Sequence, residues 1–243
     1  MILGSVSHLA RRLFEDEIAP SAVDASVDIE PLRQGTVVEA ASVLAGAFRT
    51  EAFVSTAVSL SSERDERALT EAFDARLRTY RAANQPVFTA SEQGTIVGVA
   101  VVKRPDVSIS TLRFLASLGT SPRALAHLLG RVDPVGVSQV LGTLSPPEVV
   151  PADSYTLETI AVEPAHQGEG IGELLLDAID DLVERDPGAS GTYLATAESS
   201  NRDLYEQFGY QTVATKQVGD FTAYHMFRPN ENGTHSSTGA RSL

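Results

Sequence analysis

The segment from Leu157 to Leu176, LETIAVEPAHQGEGIGELLL, constrains the fold of this chain more than any other. It joins an apolar stretch, a glycine-rich turn and an amphipathic pattern without a break. Leu157 to Val162 is typical of a buried strand, which Pro164 ends. Apolar side chains then recur at helical spacing from Ile171 onward. The segment therefore predicts a strand, a turn and a helix whose apolar face packs against a sheet.

The turn carries three glycines, Gly168, Gly170 and Gly172, at alternate positions. The start of a helix leaves its first N–H groups without intrahelical partners and carries the positive end of the helix dipole. Glycine leaves those amides uncovered and permits positive φ values, so phosphate oxygens can approach the backbone. The turn predicts a pyrophosphate pocket, with a purely structural turn containing incidental glycines as the alternative.

Two other phosphate motifs fit this segment poorly. A Walker loop requires a lysine after its last glycine, whereas the lysines of this chain are Lys103 and Lys216, far from the turn. A Rossmann fingerprint requires G-x-G-x-x-G in a tight turn, but the spacing here is G-x-G-x-G after a longer approach.

The pattern Q-x-x-G-x-G from Gln167 to Gly172 instead resembles the acyl-coenzyme A loop of the GCN5-related N-acetyltransferase (GNAT) superfamily. Downstream, GTYLATAESSNRDLYEQFGYQTV is similar to the fifth strand, the following helix and the sixth strand of that superfamily. The superfamily arrangement N-x-x-x-Y-x-x-x-G-F/Y is matched by Asn201, Tyr205, Gly209 and Tyr210, with Phe208 beside them. Within the superfamily, the segments most resemble those of puromycin-type small-molecule acetyltransferases.

The resemblance implies an α/β (α+β) acyl-CoA N-acyltransferase fold, with a central mixed, mostly antiparallel sheet flanked by helices. The earlier part of the chain suits this fold. It predicts a strand near Val27 to Leu32, a helix marked by Val38 to Phe48, a second helix capped by Ser62, and a hairpin between Pro86 and Val102.

We expect the acetyltransferase domain to span residues 28–228, preceded by a peripheral arm at 1–27. Residues 105–153 exceed the superfamily pattern and are predicted to be a helical insertion. The insertion is expected to wall the acceptor pocket, to form a homodimer contact or to pack on the surface. Residues 229–243 contain few apolar side chains and are predicted to be a disordered tail.

Composition narrows the chemistry. The chain has no cysteine, which excludes a cysteinyl acyl intermediate and leaves direct transfer as the simple route. A net charge of −13 argues against a nucleic-acid partner and is compatible with an amine acceptor. No run approaches the ~20 apolar residues of a membrane span and no metal-ligand cluster is present, so we expect no metal, no membrane partner and a cytoplasmic location.

Glu158 is the predicted general base, because the resemblance places an acidic or polar residue at a bulge on the strand before the glycine turn. Most alkyl amines are protonated at neutral pH, so attack on a thioester requires removal of a proton. We expect desolvation on this apolar strand to raise the pKa of Glu158. The structural alternative is a carboxylate paired with an arginine.

Tyr205 is the second predicted catalytic residue, since the superfamily places a tyrosine here, near the coenzyme sulfur, where it can protonate the departing thiolate. Its alternative is an aromatic core residue packed beside Phe208. The resemblance assigns Asn201 to the pantetheine arm, with a helix N-cap as the alternative. His166, His127 and His225 are given no role.

The resemblance also implies backbone contacts from Ile160 and Val162 to pantetheine. The full predicted coenzyme set is Ile160, Ala161, Val162, Gln167, Gly168, Glu169, Gly170, Ile171, Gly172, Asn201 and Tyr205. The predicted function is acetyl-CoA-dependent N-acetylation, by direct attack of a small-molecule or peptide amine on the thioester. A non-catalytic acyl-CoA sensor and an assembly protein built on the insertion are the alternatives.

Overall fold

The computed structural model describes residues 27–48, 63–105, 146–218 and 221–233. These contain the helices α1 to α4 and the strands β1 to β7. In chain order the elements are β1 (Val27–Pro31), α1 (Val37–Phe48), α2 (Glu63–Ala82), β2 (Val87–Glu92), β3 (Thr95–Lys103), β4 (Tyr155–Val162), α3 (Ile171–Glu184), β5 (Gly191–Thr196), α4 (Ser199–Gln207), β6 (Gln211–Val218) and β7 (Phe221–Pro229). None of the helices in these ranges is long and apolar enough to cross a membrane.

The described strands form one seven-stranded sheet in the order β1-β2-β3-β4-β5-β7-β6. Neighbouring strands are antiparallel except β4 and β5, which are parallel. The mixed, mostly antiparallel sheet with flanking helices confirms the predicted fold class. The predicted front half is also present, as β1, α1, α2 and the β2–β3 hairpin.

Two apolar clusters fill the space between the sheet and the helices. On one face, α1 and α2 bury side chains such as Leu44 and Leu77 against β3. On the other, α3 buries Ile171 and Leu175. Strand β3 is buried along nearly its whole length, because helices cover both of its faces. Its Gly98 permits the close approach of α3, since a Cβ there would lie 3.0 Å from Ile171 Cγ2.

The end of β7 corrects the predicted start of the disordered tail. Pro229 still belongs to the strand, and Asn230 is buried. The Asn230 side-chain amide donates to the carbonyl oxygens of Val183 at 3.0 Å, Asp186 at 3.3 Å and Ala189 at 3.0 Å. These bonds tie β7 to the end of α3 and to the loop before β5. Composition missed this residue because one buried amide contributes nothing to an apolar pattern.

Several predicted segments lie outside the described residues. They are the arm at 1–26, the Ser62 cap, the part of the insertion at 106–145 and the tail from 234 onward. The described end of the insertion, residues 146–153, consists of turns and irregular backbone.

Gly191 at the start of β5 has a backbone that no other residue accepts easily. Its φ is +152°, and a Cβ there would lie 2.1 Å from the Arg228 carbonyl oxygen. We expect Gly191→Ala to lower the free energy of unfolding by at least about 3 kcal/mol, measured by urea denaturation, because strain and overlap add.

Gly46→Ala is the matched control for this prediction. Gly46 lies within α1 at ordinary φ, with nothing within 4 Å of an added Cβ, so alanine should stabilise the protein by about 0.5–1 kcal/mol. Equal effects of the two substitutions would contradict the account of Gly191.

Candidate active site

Strands β4 and β5 separate shortly after they meet. They pair only at Tyr155 with Thr192 and at Thr156 with Tyr193, although β4 continues to Val162 and β5 to Thr196. Because the strands are parallel, their carboxyl ends point to the same edge of the sheet. The glycine turn follows β4 at that edge and α4 follows β5. The result is a wedge-shaped opening in the sheet, called the β4–β5 opening below.

A β-bulge lies at Glu158, on the β4 side of this opening. Strand β3 pairs Val101 with Thr159 and Val102 with Leu157, which leaves Glu158 without an opposing residue. The bulge expected at Glu158 is therefore present. It turns the Glu158 side chain toward α2, on the face of the sheet opposite α3.

The N–H groups of Ile160 and Val162 point into the β4–β5 opening. Glu163 N donates to Val97 O of β3 at 2.8 Å, and backbone groups on a strand alternate in direction. Ala161 therefore turns its own N–H toward β3, and its side chain is buried in the apolar cluster between the sheet and the helices α1 and α2. The Gln167 side chain donates to the Val162 carbonyl oxygen at 3.2 Å, which ties the glycine turn to the strand.

Two of the three glycines assigned to the turn are required for its backbone conformation, whereas Gly172 is the second residue of α3 and has no positive φ. Gly168 has φ +85° and Gly170, which precedes the first residue of α3, has φ +81°. A Cβ on either residue would contact nothing within 4 Å, so their outer side is open. Leu174 N donates to Gly170 O at 3.1 Å, and the amides of Ile171, Gly172 and Glu173 come before this first helical bond. These amides are available to an anion.

The side chains around the turn are acidic. His166 Nδ1 lies 3.1 Å from a Glu169 carboxylate oxygen and 3.4 Å from one of Glu92. Glu173 adds another carboxylate in the first turn of α3. Within the described part of the chain, attraction for a phosphate at this turn therefore rests on backbone amides and the helix dipole.

The Glu158 carboxylate lies among three side chains with N–H or O–H donor groups. Its Oε2 accepts hydrogen bonds from Arg76 Nη2 at 2.7 Å and from the Tyr80 hydroxyl, and Lys103 Nζ lies 3.6 Å from Oε1. Arginine pairing, the structural alternative for Glu158, is thus present. The apolar surroundings that the strand sequence predicts for Glu158 are absent, because the side chains of Arg76 and Lys103 lie beside its carboxylate.

Burial raises the pKa of Tyr80 well above its usual range, with Arg76 opposing the rise and Glu158 adding to it. The Tyr80 hydroxyl therefore stays protonated and donates to Glu158.

Three of these side chains, Arg76, Tyr80 and Lys103, are not among the predicted site residues. The Tyr80 ring lies on the apolar face of α2, as its spacing predicts, but its hydroxyl reaches Glu158. Arg76 and Tyr80 are four residues apart on a helix and so share a face, which was the available signal. Nothing in the sequence shows that this face meets β4.

Asn201 and Tyr205 share a face of α4, four residues apart, beside the carboxyl end of β5. Glu198 is the N-cap residue of α4 and Asn201 is its third helical residue, so the N-cap interpretation of Asn201 is wrong. The Tyr205 ring packs edge-on against Tyr210, with ring centres 5.7 Å apart. The ring contributes to the core, as the alternative for Tyr205 expected, and its catalytic role stays a prediction.

A buried tyrosine–histidine pair lies on β5 and β7. The Tyr193 hydroxyl and His225 Nδ1 are 2.7 Å apart, and both residues are buried. Burial raises the pKa of Tyr193, while burial and then Lys216 lower the pKa of His225 below its ordinary 6.5. The pair is therefore neutral at physiological pH.

The lowered pKa of His225 predicts a pH-dependent stability. Below pH 6.5 the unfolded chain binds a proton at this histidine more readily than the folded chain does. The contribution of neutral His225 to the unfolding free energy is thus complete above pH 6.5 and is lost as the pH falls toward the lowered pKa of the folded state. We expect His225→Gln to flatten the decline in unfolding free energy between about pH 6.5 and 5.

Urea denaturation at several pH values measures this effect. At about pH 8 both histidine states are neutral, so the difference there reports packing alone and is subtracted. An unchanged slope below pH 6.5 would contradict the prediction.

Solved acetyltransferases share this architecture. A Corynebacterium glutamicum protein described as histone acetyltransferase HPA2 and related acetyltransferase has a TM-score of 0.62 and 20% identity, covering 86% of this chain and 99% of that one. The paiA N-acetyltransferase of Thermoplasma acidophilum, solved with coenzyme A, has a TM-score of 0.52 and 12% identity, covering 84% and 99%. The protein yncA of Salmonella typhimurium, solved with its cofactor acetyl-CoA, has a TM-score of 0.52 and 16% identity, covering 88% of this chain and 99% of that one. These likenesses show a common fold.

A family model described as acetyltransferase (GNAT) domain matches residues 133–212, which include β4, the glycine turn, α3, β5 and α4. No curated protein sequence matches the chain. The described strands and helices therefore have the fold of solved acetyltransferases, and the family model matches the part of the chain that carries the glycine turn and α4. The match covers the motifs on which the resemblance to the GNAT superfamily rests.

Proposed function

We propose that this protein is an acetyl-CoA-dependent N-acetyltransferase in which an amine, on a small molecule or a peptide, attacks the thioester directly. The observation that carries the proposal is the β4–β5 opening, bordered by the glycine turn and by α4. Unpartnered backbone donors and a carboxylate meet along one strand there. The coenzyme A and acetyl-CoA bound in the paiA and yncA structures support the choice of coenzyme.

The described residues fit a coenzyme of this type. The amides of the turn and of the first residues of α3 would hold the pyrophosphate, without help from a positive side chain. The N–H groups of Ile160 and Val162 would pair with the pantetheine amides as an added strand does. Asn201 and Tyr205 would border the arm from α4.

Acetyl-CoA would supply the activated acetyl group as its thioester. Glu158 would first accept a proton from the acceptor ammonium, and the neutral nitrogen would then attack the thioester carbonyl. As the carbon–sulfur bond breaks, the Tyr205 hydroxyl would donate a proton to the departing sulfur, and the second proton that the nitrogen loses on forming the amide would restore the tyrosine hydroxyl. A backbone N–H of β4 would polarise the carbonyl and steady the oxyanion. The chain has no cysteine, so no thiol of its own carries the acetyl group.

Gly170→Val tests the coenzyme site. The new side chain would extend over the open side of the turn and cover its amides. We expect the affinity for acetyl-CoA to fall at least tenfold, measured by isothermal titration calorimetry.

Gly94→Val is the matched control. Gly94 has φ +84° and open space around a Cβ, but it lies in the β2–β3 turn. Both valines therefore cost similar backbone strain, of order 1–3 kcal/mol, and only Gly170→Val should weaken binding. Equal affinity in the two variants would place the coenzyme elsewhere. If the wild-type protein binds no acetyl-CoA at millimolar concentration, the proposed function is wrong.

Glu158→Gln tests the general base. The amide keeps the shape of the side chain but accepts no proton, so we expect thiol release to slow by about 10²-fold at pH 7. The deficit should shrink toward pH 10, where more of the acceptor amine is already neutral. Glu30→Gln is the control, because Glu30 is also an arginine-paired carboxylate on a strand, far from the opening. A pH–rate profile that Glu158→Gln leaves unchanged would remove Glu158 from the mechanism.

A coenzyme-binding sensor without turnover is the second candidate function. The contacts of Glu158 favour it, because Arg76 and Tyr80 already donate to the oxygen that a base would use. A sensor would bind acetyl-CoA in calorimetry and release no thiol with any acceptor amine.

A further inference from the structure

We propose that the acceptor is an amine that also carries a carboxylate, and that Arg76 and Lys103 bind this carboxylate beside Glu158. The proposal rests on the proposed acetyltransferase function and specifies its substrate class. It follows from the charge, the spare hydrogen-bond donors and the rigidity of one cluster, defined as Arg76, Tyr80, Lys103 and Glu158.

The cluster carries a surplus positive charge. Glu158 supplies one negative charge, whereas Arg76 and Lys103 supply two positive charges within 2.7 Å and 3.6 Å of it. The three side chains are 21%, 23% and 32% exposed, so they are accessible but partly shielded from solvent. A second anion is the simplest ligand that balances this charge.

Both cations keep donors that the cluster does not use. Arg76 donates to Glu158 through Nη2, while its guanidinium lies over the Tyr80 ring, 5.4 Å from the ring centre. Lys103 Nζ, at 3.6 Å from Glu158, is beyond hydrogen-bond distance. Within the described part of the chain neither cation pairs with a second carboxylate. A guanidinium has five N–H groups and an ammonium three, so several remain for a substrate carboxylate.

The cluster is held in place by the backbone. Gln85 is buried, and its N–H donates to the Tyr80 carbonyl oxygen at 2.9 Å. Its side-chain oxygen accepts from Arg104 N at 2.7 Å. Gln85 therefore fixes the end of α2 against the end of β3, and with it the relative positions of Tyr80 and Lys103. The backbone that carries these donors is therefore fixed, which lowers the cost of ordering them around a ligand.

The position of the cluster links the carboxylate to the chemistry. Lys103 is paired with Thr156, where β4 and β5 still meet, and Glu158 lies two residues further, where they have separated. A carboxylate held by Arg76 and Lys103 would thus sit next to the carboxylate that receives the amine proton. It would also draw both cations toward itself, leaving Glu158 freer to take that proton.

A simple cationic amine suits the cluster poorly, because its ammonium would approach two positive side chains. The net charge of −13 attracts cations over the whole surface, but salt screens that attraction beyond about 10 Å. Close to Glu158 the two adjacent cations determine whether an approaching charged group is attracted or repelled. An amine with its own carboxylate brings no net charge and satisfies the spare donors.

The test uses acceptors in matched sets: each standard α-amino acid, its carboxamide and its decarboxylated amine. Thiol release from acetyl-CoA gives kcat/KM for every member. We expect the free amino acid of at least one set to exceed both partners by tenfold or more. A second measurement needs no coenzyme: the N-acetylated amino acid should bind the protein in calorimetry, and its carboxamide should bind at least tenfold more weakly.

Five variants assign the effect to residues. Arg76→Gln and Lys103→Gln should each reduce the preference for the carboxylate at least fivefold, and Arg76→Lys should retain most of it. Arg78→Gln and Arg104→Gln are the controls, since they remove neighbouring arginines outside the cluster and should leave the preference unchanged. The ratio within a set is insensitive to a general loss of activity.

The outcomes separate this inference from the proposed function. If acetyl-CoA does not bind, the proposed function fails. If it binds and the decarboxylated amines or carboxamides react as well as the amino acids, only the carboxylate inference fails. If it binds and no amino acid of the panel reacts, the inference fails as well. A preference that survives both Arg76→Gln and Lys103→Gln overturns the assignment to these residues.

Discussion

The early separation of β4 from β5 is the constraint on which the rest of the structure depends. Backbone N–H and C=O groups are costly to leave without partners, so a sheet does not normally open along its middle. Here each strand keeps a ladder on its outer side, β4 with β3, interrupted at the Glu158 bulge, and β5 with β7. The inner groups are consequently available to a ligand. The bulge at Glu158 falls where the separation begins and places a carboxylate at the mouth of the opening.

The two ends of the opening attract anions in different ways. At the glycine turn the side chains are acidic and the donors are main-chain amides, which suits a ligand gripped by shape. At the cluster around Glu158 the donors are charged side chains, which suits a ligand chosen by charge. In the proposed reaction the glycine turn would hold the coenzyme and the cluster would hold the acceptor, although both ligands carry negative groups.

Most of the fold could be predicted from the sequence because its elements follow local rules. The apolar period, the proline that ends the strand and the glycines of the turn identified β4, the turn and α3 in their correct order. The contacts of Glu158 could not be predicted. Its partners Arg76 and Tyr80 lie 82 and 78 residues away in the chain, and an apolar pattern says which face of a helix is buried without saying what its polar atoms reach.

The same limit explains the smaller differences. Asn230 contributes through hydrogen bonds to three carbonyl oxygens, which a count of apolar residues cannot detect. Asn201 has the residue type of an N-cap, but α4 begins two residues earlier, after Glu198. The preference of asparagine for the N-cap position therefore did not set the start of α4.

The sheet order has a consequence for biosynthesis. Since β5 meets β4 at only two positions, its place in the sheet depends on β7, which lies between β5 and β6 and comes last in chain order among the described strands. Asn230, one residue beyond β7, then locks the α3–β5 loop. During synthesis β4 and β5 emerge before β7, so the β5 side of the β4–β5 opening gains its antiparallel partner only once β7 has emerged. We therefore expect the opening to form late among the described parts of the sheet.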